Sequence, residues 1–206
     1  MVEEFDGSSV KIIKIMASNV RAYTDSELMT RVKSLPSFNG IPNNFWLLAV
    51  RSAEDAFNRF DDKFYLFKGE TCFGVWKGTT NAGTDLLNPT NPRGEAVLKS
   101  NEIYYDSHER RLHRRRVLAY CQRIPLPIYR DNDKDKNIEE IGTPKLENVG
   151  INIHPASYQI GTTWERETIQ GWSQGCFVLS VRADFDTLMA KTKGQQRLTL
   201  CVLREF

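Results

Sequence analysis

Apolar and polar positions along the chain change period twice. Near the N-terminus, Thr24-Asp25-Ser26-Glu27 precedes Leu28, Met29 and Val32, which recur at helical spacing. A threonine that accepts from a first-turn amide, with a glutamate three residues on that reaches back, is a capping box. The pattern predicts a helix ending near Ser34-Leu35-Pro36. Ala53, Ala56, Phe57 and Phe60 after Ser52 predict a second one. From Lys63 onward the runs are short, β-branched and aromatic: Phe64–Phe67, Cys72–Trp76, Val117–Cys121 and Ile124–Tyr129 read as strands. Residues 78–83, 88–94 and the acidic stretch Asp131–Glu140 read as loops, and a last helix is expected near Asp184–Lys191. The expectation is an α+β, mainly β fold, a mixed sheet or β-sandwich with short flanking helices.

Two further runs alternate. In Val149–His154, Val149, Ile151 and Ile153 fall on one face, so Asn152 and His154 point the other way, away from the core. In Cys176–Val181, Phe177, Leu179 and Val181 point inward, and Cys176 shares its face with Val178 and Ser180. Each strand buries one side and holds a reactive group on the other. A thiol is mostly protonated at neutral pH, and an imidazole within reach raises its nucleophilicity by taking the proton. Gly175 before the cysteine permits a sharp turn at which backbone N–H groups face a developing oxyanion.

Composition adds exclusions. The 206 residues carry 26% charged side chains that nearly cancel, to a formal +2, which gives no reason to expect a nucleic-acid partner. The local exception is the basic run Arg110-Arg111-Leu112-His113-Arg114-Arg115-Arg116. Cys72, Cys121, Cys176 and Cys201 form no C-x-x-C pair, against a zinc ribbon or redox motif, and the first two and the last read as small core hydrophobes. The acidic start lacks the pattern of a signal peptide, and no apolar run is long enough to span a bilayer. Asp131-Asn132-Asp133-Lys134-Asp135-Lys136-Asn137 alternates carboxylates like a calcium loop, but Lys136 and Gly142 stand where such a loop needs Gly and Glu, so a solvated turn is expected.

Ile151-Asn152-Ile153-His154 followed by Ser173-Gln174-Gly175-Cys176 and an apolar strand resembles the catalytic motif of the L,D-transpeptidase family. The resemblance covers mainly residues 145–181. More loosely, Thr79–Gly83 and Ile128–Asp131 look like landmarks of a divergent, phage-associated branch. It implies Cys176 as nucleophile, His154 as base, Ser173 as motif hydroxyl and Gly175 as turn glycine. It further implies a catalytic domain over residues 45–206 behind an N-terminal helical extension at 1–44. The loop of 18 residues between His154 and Ser173 is slightly longer than the family's, Gln174 replaces a second histidine, and Val178 stands where many members carry a polar residue. Gln174, Trp172, His113 and Pro155 are the candidate substrate contacts, Pro155 also through a carbonyl that could orient the imidazole; His113 otherwise reads as a surface residue. The implied chemistry is cofactor-free and metal-free acyl transfer through a thioester on peptidoglycan stem peptides, ending in a cross-link or a cut. Without a leader in sight, delivery to the bacterial wall by a phage or secretion system is expected. The rival is a non-catalytic wall-binding or virion module that keeps the fold; a further rival, a cysteine peptidase of unrelated fold, would use Asn152 as its activating amide.

Overall fold

A computed structural model describes residues 20–206. The capping box forms: Thr24 Oγ1 accepts from the Glu27 amide at 3.2 Å, and Glu27 Oε2 accepts from the Thr24 amide at 2.8 Å. It opens helix α1 (Asp25–Lys33), whose Leu28, Met29 and Val32 are buried.

The rest is mainly β. Strands β1 (Phe45–Arg51), β2 (Asp62–Lys68), β3 (Thr71–Thr79), β5 (Glu102–His113), β6 (Val117–Gln122), β9 (Ile153–Pro155), β10 (Phe177–Leu179) and β11 (Arg197–Arg204) close a barrel in the order β1-β11-β5-β6-β9-β10-β3-β2. Two pairings are parallel, β1 with β11 and β9 with β10. Strands β4 (Glu95–Leu98), β7 (Leu126–Asp131) and β8 (Lys145–Glu147) make a separate antiparallel sheet in the order β4-β7-β8. Helix α2 (Arg182–Lys191) follows β10. The expected mixed sheet is thus closed on itself, and the protein is α+β and mainly β.

Alternation explains the layering. Leu47 and Ala49 of β1 join Phe64, Leu66, Ile153, Phe177, Leu179 and Leu200 in one core, to which α2 adds Phe185 and Leu188. Trp46, Leu48 and Val50 on the opposite face of β1 pack with Tyr65, Phe67, Leu203 and helix α1. Strands buried on both faces read as continuous apolar runs. The described part of the 1–44 segment therefore lies against the barrel wall through α1; residues 1–19 lie outside the described residues.

The helix expected from Ser52 does not form. A carboxylate captures an amide that a helix would direct to the Ser52 carbonyl, Ala56 N–H donating to Asp61 Oδ2 at 2.7 Å, and Asp62 Oδ1 holds the Ser52 amide at 2.8 Å. Asp55 and Asn58 adopt positive φ of 44° and 57°. Phe57 and Phe60, which share a face at helical spacing, enter different clusters, one beside Leu86 and one beside Val178. The acidic segment after β7 is a turn of locally satisfied side chains, with Asp133 accepting from the Asp135 amide and Asp135 from that of Asn137. Among the described residues, no group of three His, Cys, Asp or Glu is placed to hold a metal ion, and no helix is long and apolar enough to cross a membrane.

Candidate functional site

Neighbouring strands bring the motif residues together. Phe177 and Ile153 are register partners, as are Val178 and His154, and the Phe177 amide donates to Asn152 O at 2.8 Å. Cys176 thus stands beside Asn152 and one diagonal step from His154, about 4.8 Å across the pair and about 6.6 Å along it. The alternation within β10 holds: Phe177 and Leu179 enter the main core, whereas Val178 and Cys176 pack with Phe60, Ala156, Ile169 and Trp172. In the segment leading to β9 it holds only in part. Ile151 and Ile153 are buried, but Val149 is 37% exposed because the chain leaves the sheet there.

A cleft of about 700 Å³ opens between this edge and the small sheet, lined by Cys176, Gln174, Trp172, His113, Arg114 and Glu95 among others. The turn at its floor is built by Ser173 and Gly175. Buried Ser173 accepts from the Gly175 amide at 3.1 Å and donates to Cys176 O at 2.8 Å. Gly175 has φ of +113°, and a Cβ there would meet Ala96 O of β4 at 2.2 Å. The position requires glycine both for its backbone angle and for the close approach of the small sheet. Gln174 donates to Thr90 Oγ1 at 3.0 Å, fastening the turn to the 88–94 loop.

Hydrogen bonding defines the protonation of the histidines. His154 Nδ1 lies 3.1 Å from Pro155 O, a pure acceptor, so Nδ1 carries the proton and Nε2 keeps its lone pair. Asn152 Oδ1 accepts from the Gln122 amide at 3.0 Å, which turns its N–H toward His113 Nδ1 at 3.1 Å. His113 must then be protonated on Nε2, an atom buried without an acceptor among the described residues. The two imidazole rings stack, with centroids 4.4 Å apart and planes 14° from parallel.

Both histidines differ from expectation here. His113 is no surface residue but is 6% exposed at the end of β5, and His154, expected to point away from the core, is only 2% exposed beneath it. Pro155 is buried, and its carbonyl lies against His154 Nδ1, the orienting contact expected of it. Asn152 serves His113 rather than His154. The remaining histidine, His108, is also buried and bonds Ile151 O at 2.9 Å, so all three histidines of the chain touch the 151–154 segment.

Burial governs the electrostatics. It pushes the Cys176 thiol up to about 11, against the stabilising Asn152 amide and the Arg114 charge. It pulls His154 down to about 3, with His113 adding to the fall and Pro155 O opposing it, and His113 down to about 4, helped by Arg114. At neutral pH the site holds a protonated thiol, donating to Gly150 O at 3.3 Å, and neutral imidazoles. Among the described residues no hydrogen bond joins Cys176 to His154, and the two groups are neutral rather than a preformed thiolate–imidazolium pair. Iodoacetamide labelling of Cys176 is accordingly expected to accelerate about tenfold per pH unit up to about pH 11. An inflection at or below about 8.5, the ordinary thiol value, would contradict that picture.

Gln122 was not singled out from sequence, yet its Oε1 accepts from the amides of Val149, Gly150 and Ile151 at 2.8–3.1 Å. It thereby sets the Gly150 carbonyl on which Cys176 rests. Its only sequence signal is a polar residue closing the apolar run Val117–Cys121. All four cysteines are free, with Cys121 and Cys201 buried and Cys72 half-buried. No family model, curated protein or solved structure matches the chain.

Proposed function

We propose that the chain is a cysteine-dependent acyl-transfer enzyme that acts on peptidoglycan stem peptides, as an L,D-transpeptidase or L,D-peptidase. The observation that carries the reading is the placement of Cys176 on the cleft lining with His154 one diagonal step away on the parallel neighbour strand, oriented by Pro155 O. The motif resemblance at residues 151–154 and 173–176 supplies the substrate class.

In this mechanism His154 Nε2 takes the thiol proton as sulfur attacks a stem-peptide carbonyl carbon. The Cys176 N–H faces the oxyanion, since that of Gly175 is engaged by Ser173. Collapse breaks the C–N bond, and His154 returns the proton to the leaving amine. The thioester then passes its acyl group to a second amine, giving a cross-link, or to water, giving a cut. The proposed place of action is the bacterial cell wall.

A second reading, a non-catalytic wall-binding or virion module, draws on two observations: the thiol rests on Gly150 O, and Gln174 is tied to Thr90. Incubation with purified muropeptides, followed by mass, separates the two. Cleaved or exchanged products, with a transient acyl adduct on the protein, are expected; binding without either leaves only the module.

A further inference from the structure

The hairpin between β5 and β6 places arginine where turns ordinarily place asparagine and glycine. The Arg116 amide donates to His113 O at 3.0 Å, closing a four-residue turn whose central residues, Arg114 and Arg115, have φ of 49° and 58°. Two-residue turns with positive φ at both positions favour Asn-Gly because side-chain-bearing residues are strained there. The strain has a positional effect: Arg114 lines the cleft, whereas Arg115 does not.

The other arginines of that lining are engaged through their terminal nitrogens. Arg130 pairs with Glu147 and donates to Gly94 O, and Arg111 donates to Gln122 O beside Glu109. Arg114 forms no ion pair among the described residues. Its charge acts on Cys176, His113 and His154 alike. Beside it, His113 Nε2–H is a buried donor without an acceptor among the described residues, as is Arg130 Nε in the same lining.

We propose that Arg114, with His113 beside it, reads a carboxylate of the ligand, so that the cleft selects an anionic peptide over a neutral one. Glu95, also in the lining, disfavours a polyanion such as a phosphate chain. The assignment rests on Cys176 being the reacting group of the cleft, and it makes Arg114 a specificity determinant.

The test compares iodoacetate with iodoacetamide, two alkylating agents that differ in a carboxylate, with modification located at Cys176 by peptide mass. Arg114→Gln is expected to lower the iodoacetate-to-iodoacetamide rate ratio about fivefold or more, while Arg115→Gln, which removes the same charge one residue away, changes it less than about twofold. An unchanged ratio in Arg114→Gln, or equal falls in both variants, overturns the proposal. Should the thiol resist both reagents, titration with N-acetylglycine and with its amide, followed by the Arg114 side-chain N–H signal in NMR spectra, decides instead. A shift with the carboxylate alone supports the proposal, and no shift overturns it. Neither readout needs turnover, so a chain inert toward muropeptides but selective at Arg114 loses only the enzyme reading.

Discussion

Replacing Cys176 with alanine is expected to abolish acyl transfer on stem peptides, by at least about 10³-fold in kcat, with the fold retained. The thiol contributes one weak hydrogen bond, to Gly150 O, and sits at the edge of a small cluster with Val178 and Trp172. Its removal therefore costs stability on the order of 1 kcal/mol. His154→Ala is expected to fall nearly as far, because a thiol pushed up to about 11 is a poor nucleophile unless a base removes its proton during attack. Since the two act as a unit, the double variant should be no slower than the worse single one. Product masses and thermal melts on the three variants check this. Wild-type turnover by Cys176→Ala would end the enzyme reading.

Gly175→Ala is expected to destabilise the fold by roughly 3–5 kcal/mol, from backbone strain at positive φ together with overpacking against a rigid neighbour. The neighbour is Ala96 O of β4, 2.2 Å from where the Cβ would stand, and it is backbone within a paired strand. Either the turn or the small sheet must move, and both moves widen the cleft. Denaturant unfolding measures the loss. Gly171→Ala, where an added Cβ meets nothing within 4 Å, provides the control and should stay within about 1 kcal/mol of wild type. Equal stability of the two variants would mean that the turn adapts, contrary to the geometry described.

What was legible in the sequence was local chemistry. The capping box at Thr24–Glu27 needs only neighbouring residues, and α1 begins there. Phe177 and Leu179 alternate with Cys176 and Val178 because β10 separates two clusters, and that period survives in three residues of strand. The apparent helix from Ser52 failed because Asp61, beyond its last residue, holds the Ala56 amide. The burial of His113 and His154 was hidden for a similar reason. Their partners, Asn152 for one and the stacked ring for the other, are joined by strand pairing across some forty residues of chain. Closure of the barrel through β1 and β11 is likewise a contact between distant segments that no window of sequence contains.

The parallel pairing of β9 with β10 has a bearing on how such a protein could be re-engineered. Cys176 and His154 are each fixed by strand register, while the connection from Ala156 to Trp172 carries Ile160 and Trp164 outward, 80% and 55% exposed. It is fastened to the body by a few bonds, among them the Arg166 amide to Ser180 O and the Ala183 amide to Thr162 O. A graft confined to the outward stretch around Ile160 and Trp164, keeping those fastenings and the Ala156, Ile169 and Trp172 side chains that pack beside Cys176, could change the loop without disturbing the alignment of Cys176 with His154. The outer loop and the paired strands are in that sense separately inheritable, the one a replaceable segment and the other part of the weave of the barrel.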